Sequence, residues 1–114
     1  MPRDDVTLVD IAQACRSIQQ FIAGMDRETF LADLKTRSAT LHQLLIAGEA
    51  TKRLSPEFRA QHPEIPWSEM AGMRDVLIHG YDRVDMEEVW KSASVDIPDV
   101  MAKIAPLLRE GSLT

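Results

Sequence analysis

Apolar residues return along the first part of the chain at alternating steps of three and four: Leu8, Ile11, Cys15, Ile18, Ile22 and Met25. That spacing puts them on one stripe of an α-helix, and its heptad-like regularity predicts a long amphipathic helix seated against a partner helix. Asp4 and Asp5 offer an N-cap for it, and Gly24 is placed to close it. Asp26 can cap a second helical segment carrying Phe30 and Leu34. From Leu34 to Leu54 the positions Leu41, Leu44, Leu45, Gly48 and Thr51 keep the helical period, and Gly48 leaves room for another backbone to come close.

The stretch Ser55-Pro56-Glu57 reads as a cap followed by proline at the first helical position, which starts a short helix. His62-Pro63-Glu64-Ile65-Pro66 breaks it, because each proline biases the residue before it towards extended backbone. Pro66 then opens a central helix whose apolar stripe is Trp67, Met70, Ala71, Leu77 and Ile78, with Gly80 placed to end it. Asp85 with Glu88 resembles a capping box for a helix bearing Met86, Val89 and Trp90. A last helix is predicted from Asp96 to Leu108, with Ile97, Val100, Met101, Ile104 and Leu108 inward and Gly111 ending it. No alternating β-branched run of strand length and no Asn-Gly hairpin signal occurs. The expected fold is all-α: an antiparallel bundle of four to six helices, one domain over residues 1–114.

Composition narrows the function classes. No apolar run approaches the roughly 18 residues of a membrane span and no secretory signal opens the chain, so a cytoplasmic protein is expected. Cys15 stands alone on an apolar stripe, which suits a buried structural thiol in a reducing compartment. The net charge of −5 argues against a protein that holds nucleic acid by a broad basic surface, so any RNA contact must be a local basic cleft. His42, His62 and His79 share no metal-ligand spacing, and the glycines form neither a Walker loop nor a dinucleotide fingerprint.

One charge sits where the pattern asks for an apolar residue. At about 100° per residue, Arg74 falls inside the stripe of the central helix, and so does Tyr81, seven residues on. A guanidinium there is costly unless it meets a carboxylate, a phosphate or a polar interface. Glu49 borders the apolar face of the preceding long helix, and the two are expected to meet within about 6 Å; otherwise Glu49 is an ordinary solvated glutamate. His79 lies about 140° from Arg74 if the helix runs on, which suits two walls of a cleft. Taken singly, Arg74 serves a structural ion pair as readily as catalysis, His79 reads as a helix-terminal cap, and Tyr81 reads as core with its hydroxyl at the rim.

Together they read Arg74-x4-His79-x-Tyr81, which resembles the RX4HXY motif of HEPN domains. The ordered segments Ile46–Leu54, Pro63–Trp67, Met73-Arg74-Asp75 and Val84–Trp90 are similar to the HepT-like branch, and that likeness spans nearly the whole chain. The resemblance implies a helical homodimer with the motif at its two-fold cleft. It further implies a metal-independent endoribonuclease toxin, acting on tRNA or mRNA with no cofactor, paired with a minimal nucleotidyltransferase antitoxin that attaches AMP to Tyr81. Many such motifs carry Asn after the arginine; here it is Asp75, which could orient Arg74 or repel RNA phosphate.

The residues suit that chemistry. Metal-free RNA cleavage needs a base for the 2′-hydroxyl and a cation for the charge building on phosphorus; the His79 imidazole can take or give a proton and Arg74 offers a planar fork to two phosphate oxygens. Two further readings stay open at this point. One is a non-catalytic nucleotide- or substrate-binding module partnering a nucleotidyltransferase, and the other is a helical dimer without chemistry.

Overall fold

The computed structural model describes residues 3–112, without the side chains of Tyr81 and of residues 109–112. All regular structure among the described residues is helical: α1 (Asp4–Ile22), α2 (Arg27–Ala32), α3 (Leu34–Arg53), α4 (Pro56–Gln61), α5 (Trp67–His79), α6 (Met86–Lys91) and α7 (Ile97–Ser112). A 3-10 turn (Tyr81–Arg83) follows α5, and a π-helical turn (Ser92–Asp96) joins α6 to α7 without a break, so the seven labels describe six continuous rods.

The long helices α1 and α3 form the frame. Leu8, Ile11, Cys15 and Ile18 on α1 and Leu41, Leu44, Ala47 and Ala50 on α3 are buried. Each Ile or Leu buried in this way contributes roughly 1.5–3 kcal/mol through surface removed from water. The two run antiparallel, since the start of α1 meets the residues just after α3: the Asp4 carboxylate accepts from the Ser55 amide at 2.9 Å and from its hydroxyl at 2.6 Å. Ile97, Val100 and Ile104 of α7 close the core against α1, and α2 contributes Phe30, whose ring lies 5.2 Å from that of Trp90. Arg27 and Glu87 form an ion pair across the same α2–α6 contact.

Most capping expectations hold. Asp26 accepts from the Thr29 amide, and Ser55 Oγ accepts from the Phe58 amide ahead of Pro56 at the first helical position. Asp33, not anticipated, caps α3 by accepting from the Thr36 amide at 3.0 Å and its hydroxyl at 2.9 Å. Asp33-x-x-Thr36 is the sequence trace that marks it.

Five details differ. Asp4 and Asp5 lie inside α1 rather than capping it, because Asp4 is drawn to Ser55. Leu34 belongs to α3, not to the second segment, and is 66% exposed, since the chain turns at Asp33. Asp85 caps α6 through the Glu87 amide, one residue earlier than a capping box would. Asp96 does not start the last helix, because the π-turn carries the chain through it. Gly111 lies within α7 rather than ending it, the helix running on to Ser112.

Candidate active site at the seam of α3 and α5

The seam is built on a missing side chain. A Cβ on Gly48 would fall on the Arg74 Cβ and lie 2.8 Å from the Met70 carbonyl oxygen, so only glycine lets α5 come this close to α3. Close approach puts Arg74 beside the next residue of α3. Its Nε donates to Glu49 Oε1 at 2.5 Å, far inside the 6 Å expected, and its Nη1 donates to Asp75 Oδ1 at 3.1 Å. Lys52 Nζ, one turn along α3, donates to the same Asp75 oxygen at 2.9 Å.

The four side chains make a ladder Glu49–Arg74–Asp75–Lys52 of alternating sign and no net charge. The Arg74 side chain is only 25% exposed, so the ladder answers the question its position raised: two carboxylates meet a guanidinium on an otherwise apolar face. The hydrogen bonds it gives to Glu49 and then to Asp75 hold the guanidinium above its usual range. Hydrogen bonds from Lys52 and then Arg74 hold the Asp75 carboxyl below the usual carboxylate range. Arg74 is thus charged and fixed, with Nε and one Nη1 proton used and Nη2 left to meet an anion. Lys52 went unread in the sequence; its place three residues after Glu49 on one helix face was the available signal.

His79 is the last residue of α5 and is exposed. Gly80 ends the helix as expected, but with φ −143° and ψ 36° rather than a left-handed conformation. Along α5, His79 stands about 7.5 Å further on and about 140° round from Arg74. Ile78 differs from expectation: it is 45% exposed, and with Val76 at 57% it leaves apolar surface near this end of the helix. The backbone of Tyr81 opens the 3-10 turn; its side chain, the expected AMP acceptor, lies outside the described residues.

Two reactive groups elsewhere are committed to packing. Cys15 is fully buried and burial pushes its thiol up to about 12, so it is packing rather than nucleophile. His62 packs on Phe58, the ring centroids 4.7 Å apart and the planes tilted by 53°. Among the described residues no group of three or more His, Cys, Asp or Glu is placed to hold a metal ion.

The model of the family "Ribonuclease HepT-like" matches residues 11–107, a span that includes every rung of the ladder and His79. The chain belongs to the HepT-like ribonuclease family. It is 46% identical over 100 residues to a Thermococcus cleftensis protein named "Probable ribonuclease HepT", covering 88% of this chain and 91% of that one. It is 35% identical to a candidate RNase of Methanocaldococcus jannaschii over 96% of this chain and 97% of that protein. A candidate RNase of Caldanaerobacter subterraneus is 36% identical over 90% and 92% respectively. No solved structure matches. No helix among the described residues is long and apolar enough to cross a membrane.

Proposed function

We propose that this HepT-like chain is a metal-independent endoribonuclease toxin that cleaves tRNA or mRNA as a cytoplasmic homodimer of single-domain protomers. One observation carries the reading: a fixed, part-buried Arg74 and an exposed His79 share one helix but point about 140° apart. Within one protomer that divergence sets them on different walls. A two-fold axis along the exposed end of α5 brings two Arg74 and two His79 to one groove, so that two guanidinium Nη2 groups, each on a ladder of no net charge, meet one phosphate.

In that groove one neutral His79 takes the proton of the ribose 2′-hydroxyl. The freed oxygen attacks phosphorus, the bond to the 5′-oxygen breaks, and the second His79, protonated, gives that oxygen its proton. The products are a 2′,3′-cyclic phosphate and a 5′-hydroxyl. The Arg74 Nη2 protons meet the charge that builds on the phosphate oxygens, while Glu49 keeps the fork oriented. Tyr81, just past the end of α5, is the proposed acceptor of AMP from a partner minimal nucleotidyltransferase, a bulky anion that would block the groove.

Purified protein should cut RNA in excess EDTA, and His79→Ala should lower the rate at least about 100-fold with an unchanged helical spectrum. Intact RNA with wild-type dimer would refute the nuclease. The neutrality of the ladder favours a second reading, a non-catalytic module that presents nucleotide or substrate to a nucleotidyltransferase. Mass spectrometry after incubation with the partner and ATP separates the readings: AMP on Tyr81 of a protein that cuts no RNA supports the module.

A further inference from the structure

Lys52 and Arg74 both donate to one oxygen of Asp75. The Lys52 Nζ lies 2.9 Å from Oδ1, and the Arg74 Nη1 lies 3.1 Å from the same atom. A carboxylate oxygen accepts along two lone pairs, so these two donors fill it. Asp75 Oδ2 accepts no hydrogen bond among the described residues.

A stronger pairing of Asp75 with Arg74 is chemically available. Carboxylate and guanidinium bind most tightly fork to fork, through two parallel N–H···O bonds. Glu49 already holds Nε, so the donors left for such a grip are Nη1 and Nη2. Asp75 holds Nη1 now, and turning its carboxylate until Oδ2 met Nη2 would complete the fork. That grip would consume the one donor left to meet a phosphate. The ammonium on Oδ1 opposes the turn, because the carboxylate must give up Lys52 to make it. It also offsets a negative charge that would otherwise face the phosphate's own. Lys52 does little for the fold: its side chain is 42% exposed and that of Asp75 48%, and pairs so exposed stabilise weakly. Arg53, beside it in the last turn of α3, faces Asp10 of α1 at 3.7 Å instead.

We propose that Lys52 is a positioning residue for RNA cleavage: by holding Asp75 Oδ1 it keeps Asp75 from closing on both Nη groups of Arg74, and leaves Nη2 turned to phosphate. It acts through Asp75 and touches no reacting atom. Its effect on rate rests on the ribonuclease reading; its effect on the guanidinium does not. The test is a double-substitution cycle on the full chain, read by RNA cleavage and by the Arg74 Nε–H NMR signal, assigned by its loss in Arg74→Lys. Lys52→Met should lower kcat about tenfold with Tm nearly unchanged, and should shift the Arg74 signal. In an Asp75→Asn background the same change should alter kcat less than about twofold and leave the signal in place. Lys52→Arg returns a donor to Oδ1 and should recover most of kcat. Arg53→Met removes an equal charge from the same helix end and should leave kcat at the wild-type value. An equal kcat loss in both backgrounds would mean that Lys52 meets the RNA itself, and overturns the proposal. A loss confined to KM and abolished by salt does so too, as the mark of a plain phosphate contact. So does an equal loss in Arg53→Met. An Arg74 signal unmoved by Lys52→Met overturns it whether or not RNA is cut. A wild type that cuts no RNA, with the signal shifting only when Asp75 is present, removes the ribonuclease reading and supports the hold of Lys52 on the guanidinium.

Discussion

Helix α3 has two unlike neighbours, and the contrast separates what holds this protein together from what the proposed cleavage would use. Against α1 it lays down aliphatic side chains, Leu41, Leu44 and Ala50 meeting Ile11, Cys15 and Ile18 in a core with almost no exposure. Against α5 it presents a glycine and a row of charges, Gly48, Glu49 and Lys52. The first seam gains from area removed from water, which is insensitive to small shifts of one atom. The second fixes the direction of one guanidinium, and direction depends on hydrogen bonds and close approach rather than on area.

The sharpest way to break the contrast is through the first seam. Ile18→Ala should cost about 4 kcal/mol of unfolding free energy, read by urea denaturation, with cleavage per folded molecule unchanged. Gly48→Ala should cost about 2 kcal/mol, because the added methyl must push Met70 and Arg74 away. It should also lower RNA cleavage about tenfold beyond the loss of folded protein, since the arginine fork moves with α5. Equal loss of stability and activity in both variants would erase the distinction between the seams.

Smaller effects sharpen it. Asp4→Ala removes two bonds that tie α1 to the start of α4 and should cost about 1.5 kcal/mol at pH 7 without changing RNA cleavage per folded molecule. Burial pushes the Asp4 carboxyl up, but the Ser55 hydroxyl and amide outweigh it and leave the group below its ordinary value. A carboxylate depressed in the folded state stabilises above its unfolded pKa, about 3.9, and the contribution is lost as pH falls through the folded value. Asp4→Asn should therefore flatten the decline of stability below about pH 4, measured by thermal melts across pH.

Asp75→Asn should leave Tm almost unchanged, because the Lys52 and Asp75 side chains are 42% and 48% exposed. Cleavage should rise severalfold, since Arg74 Nη1 is released from a carboxylate that competes with phosphate. A fall in cleavage would mean that Asp75 serves to aim the guanidinium. Cys15 should stay unreactive towards a thiol reagent until the protein unfolds, reporting on the α1–α3 seam alone.

Much of this was legible before any coordinates. The spacing Leu8, Ile11, Cys15, Ile18 located the buried face of α1, and the misfit of Arg74 within the stripe of α5 located the seam that matters. Glu49 was readable as its partner because it borders the opposite face. Ile78 was misread because a stripe gives the side of a helix but not where the neighbouring helices stop covering it. Asp4 was misread because a carboxylate near a helix start can cap or can reach across the fold, and the choice belongs to Ser55, 51 residues away.

By itself, then, the sequence determined the helices, the family and the identity of the charged residues, because helical period, caps and prolines act over a few residues and leave their mark locally. Only the tertiary structure decided that Lys52 completes the ladder and that both carboxylates share one guanidinium. It also decided that a cleft opens beside the π-turn. These are distances between side chains far apart along the chain, and they follow from how closely Gly48 lets two helices approach.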